Sequence, residues 1–102
     1  MIDVTPAEMK AILGILQEYL PGREVRGFGS RVTGTAKSYS DLDLVIMGDE
    51  EVDLKVMAML KDAFAESNLP YRIDIIQWCQ TGDEFKDVIT SQLQSLGLHN
   101  NN

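Results

Sequence analysis

The sequence predicts a small α+β domain in which helices pack on a mixed β-sheet. The expected order is helix, strand, helix, strand, helix, strand, helix. Segments with helical spacing of apolar residues alternate with short apolar segments bounded by glycine, proline or polar residues. A chain of 102 residues has room for one hydrophobic core. We therefore expect one domain over residues 1–97, followed by a flexible polar tail over residues 98–102.

The first helix is predicted to begin at Thr5, where three start signals coincide. Thr5 can cap the helix, Pro6 suits its first position, and Glu8 completes a capping box. Pro21 and Gly22 end the helix. Apolar residues recur between these limits at helical spacing: Met9, Ile12, Leu13, Leu16 and Leu20.

A first strand is predicted over residues 23–29, and a short helix is predicted from Ser30 to about Ala36. Gly27 inside the strand indicates a close backbone approach. Ser30 is a favourable residue for the N-terminus of the short helix, whereas Gly34 weakens that helix. Residues 37–40 are expected to form a loop.

The second strand is predicted over residues 41–47, and its side chains alternate between two faces. Leu42, Leu44 and Ile46 share one face, whereas Asp41, Asp43 and Val45 share the other. The third strand is predicted over residues 71–78. Its two faces carry Ile73 and Ile75 on one side, and Arg72, Asp74 and Ile76 on the other.

Two further helices are predicted from their apolar stripes. The longest helix of the chain is expected over residues 50–67, and the last is expected to begin at a capping box over residues 81–84 and to end at Gly97. The longest helix presents Val52, Val56, Met59, Leu60, Ala63 and Phe64 to the core. The last helix presents Phe85, Val88, Ile89, Leu93 and Leu96.

The net charge of −7 is evidence against direct nucleic-acid binding, since phosphate neutralisation requires a basic surface. An acidic surface suits a basic protein partner or a metal-bound small anion, although keeping the protein in solution explains the acidity equally well. Cys79 is the only cysteine, which fits a reducing compartment. The sequence shows neither a signal peptide nor an apolar stretch of membrane-spanning length, so we expect a cytoplasmic protein with no membrane association.

The sequence carries one chemical motif, and its first half is a pair of aspartates. Asp41 and Asp43 project from one strand face, where their charges repel each other unless a cation lies between them. Oxygen-only ligands favour Mg²⁺ or Mn²⁺. Asp74 is the natural third ligand if its strand lies beside theirs, and two ions about 3.5–4 Å apart can clamp a nucleotidyl transfer.

The second half of the motif is Gly29–Ser30, where a close backbone approach and amides at a helix start favour a phosphate. The short connection to Asp41 brings this phosphate cradle and the metal site to one end of the sheet. If the first and second strands are neighbours, they must therefore run antiparallel, which makes the sheet mixed.

These residues resemble the signature of the DNA polymerase β-like nucleotidyltransferases. Gly29–Ser30, ten intervening residues, the Asp41-x-Asp43 pair and a later strand aspartate, Asp74, match that signature. The sequence of residues 29–36 and the small size of the chain are most similar to those of proteins in the minimal nucleotidyltransferase (MNT) branch. The resemblance covers about residues 5–96, and Thr33 stands where many members carry a basic residue.

The resemblance implies an Mg²⁺-dependent enzyme that uses ATP. Asp41 and Asp43 would hold two Mg²⁺ ions, and Asp74 would ligate the catalytic one and help deprotonate the acceptor hydroxyl. Gly29 and Ser30 would bind the triphosphate, with Arg31 as a further candidate contact. Each assignment has a structural alternative: a solvated strand start for the aspartate pair, a pairing of Asp74 with Arg72, and a surface position for Arg31.

The resemblance implies that larger relatives carry a further domain that holds the acceptor, and we expect no such domain in a chain of this size. In the MNT branch, the resemblance implies a partner of the HEPN class, a helical ribonuclease toxin. The MNT protein would act as its antitoxin by transferring AMP to a tyrosine of the toxin. Two alternatives remain: a non-catalytic module that neutralises its partner by occlusion, and the catalytic subunit of a two-component nucleotidyltransferase acting on an aminoglycoside-like acceptor.

Overall fold

A computed structural model of the chain describes residues 2–96, and the α+β class with a mixed sheet is confirmed. The predicted polar tail lies outside the described residues. A 3₁₀ turn and a short fourth strand add to the predicted order. The elements are α1 (Pro6–Tyr19), β1 (Val25–Phe28), α2 (Ser30–Thr33), β2 (Leu42–Ile46), α3 (Leu54–Ala65), β3 (Ile73–Gln77), the 3₁₀ turn (Trp78–Gln80), α4 (Asp83–Thr90) and β4 (Gln94–Ser95).

The sheet has the strand order β3-β2-β1-β4. β1 runs antiparallel to both β2 and β4, whereas β2 and β3 run parallel. The predicted antiparallel arrangement of the first two strands is therefore confirmed. Because β2 and β3 are parallel, their first residues meet at one edge of the sheet, the same edge at which β1 ends.

The two sheet faces bury separate apolar clusters, as the alternation in β2 and β3 predicts. The larger cluster joins one face to α1 and α3, and it includes Leu42, Leu44 and Ile46 of β2. The smaller cluster lies on the other face and includes Phe28, Val45 and Ile89. Asp43 and Asp74 share that second face, which α4 covers only in part.

The capping box at the start of α1 is confirmed. The Thr5 hydroxyl accepts from the Glu8 N–H at 3.1 Å, and the Glu8 carboxylate accepts from the Thr5 N–H at 2.9 Å. Ile12 and Leu16 of the predicted stripe are buried.

The prediction for the third helix is wrong in length and in one core residue. α3 begins only at Leu54 and has 12 residues, so α1 with 14 is the longer helix. The preceding turn is held outside the helix by Arg23, whose guanidinium donates to the carbonyls of Met47 and Glu50. Met57 is buried, whereas Met59, about 200° further round the helix, is 41% exposed.

The prediction for the last helix is also wrong at both ends. Its N-cap residue is Gly82, without a side-chain cap, because the Thr81 hydroxyl donates instead to the Gln77 carbonyl. The helix ends at Thr90, and the chain then returns to the sheet as β4. Leu96, which follows β4 directly, is therefore buried next to the sheet and does not lie on a helix face. Phe85 and Val88, predicted to face inward, are 45% and 61% exposed, although the Phe85 ring meets Phe28 edge-on.

Within residues 2–96, no helix is both long and apolar enough to cross a membrane.

Candidate active site

The starts of β2 and β3 bring the predicted aspartates together at one edge of the sheet. Asp43 and Asp74 are paired in register on the two parallel strands. Asp41 lies one residue before β2 and interacts electrostatically with Asp43. Asp43 is half-buried, whereas Asp74 is exposed. Three carboxylates therefore converge on a surface that a substrate can reach.

Asp43 has the most perturbed carboxyl group of this cluster. Burial, followed by the negative charges of Asp74 and Asp41, raises the pKa of Asp43 to about 6 from its usual value of 3.8. The cause is a half-buried carboxylate without a positive partner of its own and with two like charges close by. An ionised Asp43 would be relieved by a bound cation, which is the electrostatic condition for a metal ligand.

Gly29 places the predicted phosphate cradle directly against Asp43. Its φ of +82° lies in the left-handed region, which side chains other than hydrogen rarely adopt. A Cβ atom at this position would collide with Oδ2 of Asp43. Only glycine fits both the backbone conformation and the space, so the turn after β1 and the carboxylate form one site.

Ser30 opens α2, but Gly29 rather than Ser30 is its N-cap residue, and no side chain caps the helix. Four residues make a single turn, so the predicted end of this helix near Ala36 is wrong. The turn ends at Gly34 in the left-handed conformation, and the helix is short, as the weakening effect of that glycine predicts. The cradle is therefore a tight turn joined to one helical turn. For phosphate binding, such a turn would offer close backbone approach and the Ser30 hydroxyl rather than an extended helix dipole.

Gln92 is a site residue that sequence reasoning missed. It lies between α4 and β4, and its side-chain carbonyl accepts from the Gly29 N–H at 2.9 Å. The two residues are 63 positions apart, and the contact exists only because the chain returns to β1 after α4. No local pattern in the sequence signals it.

Arg31, the remaining predicted nucleotide contact, is engaged with the backbone of its own chain. Its guanidinium donates to the carbonyls of Asp3, Lys37, Ser38 and Ser40. The residue is 5% exposed, so the alternative interpretation of Arg31 as a surface residue is wrong. These contacts leave its guanidinium committed to the loop before Asp41.

Arg72 approaches Asp41 rather than Asp74. Its Nη2 atom lies 3.9 Å from Oδ2 of Asp41, and the Arg72 side chain is 81% exposed. An exposed contact at this distance is weak and easily replaced. The proposed structural pairing of Asp74 with Arg72 therefore does not account for Asp74.

The donor set of the site fits a divalent cation, although its side chains are not preformed around one. Carboxylate oxygens are the ligands that Mg²⁺ and Mn²⁺ prefer, and the repulsion at Asp43 favours a cation between the aspartates. Among residues 2–96, no three His, Cys, Asp or Glu side chains stand close enough together to hold an ion as they are. Asp41 is turned toward Arg72, with 3.9 Å between its Oδ2 atom and Nη2 of Arg72.

A separate cavity of about 530 Å³ lies between α3, β3 and α4. Its lining includes Leu54, Met57 and Phe85 and none of the three site aspartates. The candidate site at the open edge, with Gly29 and Asp43, is therefore separate from this cavity.

Two comparisons of the sequence agree with this geometry. A family model described as "Nucleotidyltransferase domain" matches residues 9–96. The chain is also similar to a protein of Haemophilus influenzae named "Probable protein adenylyltransferase MntA". The two are 43% identical over 88 residues, which cover 86% of this chain and 77% of that protein.

Solved structures show the same fold at lower sequence identity. One is a crystal structure of a toxin–antitoxin with AMP-PNP, with a TM-score of 0.71 and 21% identity. Another is of the toxin–antitoxin MntA-HpeT carrying two Asp-to-Glu substitutions, with a TM-score of 0.70 and 19% identity. Each match covers 86% of this chain and 71% of the other.

Proposed function

The chain belongs to the nucleotidyltransferase domain family, and from this membership we propose that it transfers AMP from ATP to a hydroxyl group of a partner toxin. The observation that carries the proposal is the contact between Gly29 and Asp43, with Asp74 in register beside them. A backbone turn able to receive phosphate thus stands directly against carboxylates able to hold cations.

Each residue of the site has a distinct part in this proposal. Gly29 and Ser30 receive the triphosphate of ATP. Asp41 and Asp43 would hold two divalent cations, with Asp74 as a further ligand to one of them. Bound there, Mg²⁺ or Mn²⁺ would neutralise charge that develops on the phosphates during transfer.

The chain's own contribution to the reaction is positioning and the handling of one proton. A new bond forms between the acceptor oxygen and the α-phosphorus. The bond between the α-phosphorus and the oxygen that bridges it to the β-phosphorus breaks, and pyrophosphate leaves. Exposed Asp74 is the carboxylate that an incoming hydroxyl can approach, and it accepts the hydroxyl proton. Gly29, held by Gln92, fixes the phosphates relative to these carboxylates.

A partner protein is the acceptor that fits this chain best. The H. influenzae relative is named a protein adenylyltransferase, and both similar structures are of toxin–antitoxin assemblies. The net charge of −7 favours a basic partner. We propose a ribonuclease toxin of the HEPN class with a tyrosine as the modified residue, so that this chain is the antitoxin.

The test is transfer of label from ATP to the cognate toxin. The wild-type chain, with Mg²⁺ and ATP labelled at the α-phosphate, is expected to label the toxin, whereas ATP labelled at the γ-phosphate should not. The double variant Asp41→Ala, Asp43→Ala should lose the labelling, because it lacks both cation ligands on β2. Undiminished labelling by that variant would rule out the proposed site.

The same variant separates catalysis from occlusion. If catalysis neutralises the toxin, the double variant should still fold but should not restore growth to cells that express the toxin. Growth restored to the wild-type level would show that binding alone neutralises the partner. Incubation with ATP and aminoglycosides, without toxin, tests the small-molecule alternative.

A further inference from the structure

We propose that Arg31 is a positioning residue, which holds the loop of residues 37–40 and thereby sets the place of Asp41. The loop contacts stand on the structure by themselves, and only their consequence for catalysis rests on the proposed function. This role differs from the direct triphosphate contact that the sequence suggested for Arg31.

The guanidinium of Arg31 binds the loop at three backbone carbonyls. Nε donates to Ser40 at 2.9 Å, and Nη2 donates to Ser38 at 3.0 Å and to Lys37 at 3.3 Å. Nη1 donates to the Asp3 carbonyl at 2.9 Å, and the Asp3 N–H returns a bond to the Arg31 carbonyl at 2.7 Å. One side chain thus joins the N-terminal segment, α2 and the loop.

The Arg31 guanidinium is buried, and most of its hydrogen bonds go to carbonyl groups of the loop. Arg31 is 5% exposed, and a buried cation is costly unless its donors are paired. Its Cζ atom lies 3.8 Å from the ring centroid of Tyr71, and the Tyr71 hydroxyl donates to Glu8. Glu8 is also a member of the α1 capping box, so the whole cluster is anchored to the first helix.

Asp41 lies between two fixed points of the backbone. On one side, Ser40 is held by Arg31, and the Ser40 N–H and Lys37 carbonyl close the loop at 3.0 Å. On the other side, the Leu42 N–H donates to the Arg72 carbonyl at 2.9 Å, where pairing with β3 begins. Release of Ser40 therefore frees Asp41 on one side.

Substitution by lysine isolates this role, because an ammonium group keeps the charge but cannot reproduce the planar fork of donors. Arg31→Lys is the test variant, and Arg23→Lys is its matched control. Nη2 of Arg23 also donates to two backbone carbonyls, those of Met47 and Glu50, but at the opposite end of β2. Both variants lose the same kind of bond in different turns.

Hydrogen exchange on the full chain measures the effect on the loop directly. In Arg31→Lys, amide exchange at Lys37, Ser40 and Leu42 is expected to be about tenfold faster than in the wild type, the equivalent of one lost hydrogen bond to a charged group. Arg23→Lys should leave these amides at their wild-type rates. Equal rates in the wild type and Arg31→Lys, or equal acceleration in both variants, overturn the inference whatever the activity.

Steady-state kinetics with the toxin then separate positioning from phosphate contact. Arg31→Lys should lower kcat about tenfold or more, because a displaced ligand misaligns the reacting groups, while the KM for ATP stays within about twofold. A raised KM with unchanged kcat would assign Arg31 to the triphosphate and overturn the inference. A wild-type chain that does not label the toxin refutes the proposed function, while the exchange rates still decide the loop contact.

Discussion

At the scale of single residues, Asp43 is where stability and function oppose each other. Burial and two neighbouring carboxylates raise its pKa to about 6, so the native chain holds the proton of this group more tightly than the unfolded chain. Its ionised form is therefore unfavourable in the metal-free fold. If Asp43 is a cation ligand, as proposed, a bound cation would offset this cost, because the repulsion among the carboxylates favours its binding.

Asp43→Asn should reveal this cost in the pH dependence of stability. Between pH 3.8 and about 6 the unfolded carboxyl of Asp43 is ionised while the native one is protonated, so the contribution of Asp43 to the stability of the wild type falls as pH rises. The free energy of unfolding of Asp43→Asn, minus that of the wild type, should increase across this range and be constant above it. Urea unfolding in EDTA at several pH values measures this difference.

Asp49→Asn is the control, because it removes one exposed carboxylate from the turn after β2. It should change the net charge by the same amount without reproducing the effect of Asp43→Asn. A difference between Asp43→Asn and wild type that stays flat from pH 4 to 7 would contradict the assignment of a raised pKa to Asp43.

At the scale of elements, the segment after α4 holds the proposed phosphate cradle in place through a hydrogen bond to Gly29. Gln92 accepts from the Gly29 N–H, and the following residues form β4 beside β1. The short strand thus fixes a side chain against the back of the cradle.

Gln92→Leu should weaken the cradle without removing any catalytic carboxylate. Loss of the acceptor leaves the Gly29 N–H without its partner, which should lower the free energy of unfolding by about 1 kcal/mol. The KM for ATP should rise more than kcat falls, since Gln92 acts through the phosphate turn. Chemical unfolding and steady-state kinetics measure both effects.

Gln94→Leu makes the same chemical change at an exposed position of β4. Its KM for ATP is expected to stay at the wild-type value. An equal rise of KM in the two variants would show that the strand as a whole, rather than the Gln92 contact, sustains nucleotide binding.

The elements also show what sequence alone could and could not predict. Thr5, Pro6 and Glu8 predict the start of α1 because a capping box is a local interaction. Alternation in β2 correctly predicts the two faces of the sheet. In contrast, Thr81 resembles a cap but bonds to Gln77, and the return of the chain as β4 depends on pairing with distant β1. Local patterns carry no information on such contacts.

The candidate site divides in the same way. The spacing of Asp41 and Asp43 predicts that they share one strand face, whereas Asp74 approaches them only if its strand lies beside β2. The parallel pairing of β2 and β3 meets that condition. The buried loop contacts of Arg31 and the support from Gln92 arise between segments far apart in the chain. The sequence thus predicts the candidate chemical groups, the aspartates, better than the residues that hold the surrounding backbone, Arg31 and Gln92.

At the scale of the whole molecule, the proposed transfer site lies on an open sheet edge rather than in an enclosed pocket. Asp74 is exposed, and the cavity between α3 and α4 does not reach the aspartates. An open site would leave room for an acceptor carried by another protein, and the acidic net charge of the chain favours the proposed basic partner. The central claim is therefore that Gly29–Ser30 and the three aspartates form one nucleotide and cation site.

A crystal structure of the chain with a non-hydrolysable ATP analogue and Mn²⁺ tests this claim most directly. We expect phosphate oxygens within hydrogen-bonding distance of the Gly29–Ser30 turn, and anomalous density for Mn²⁺ between Asp41 and Asp43. Asp41 should be turned away from Arg72. Analogue bound in the cavity between α3 and α4, with no cation at the aspartates, would contradict it.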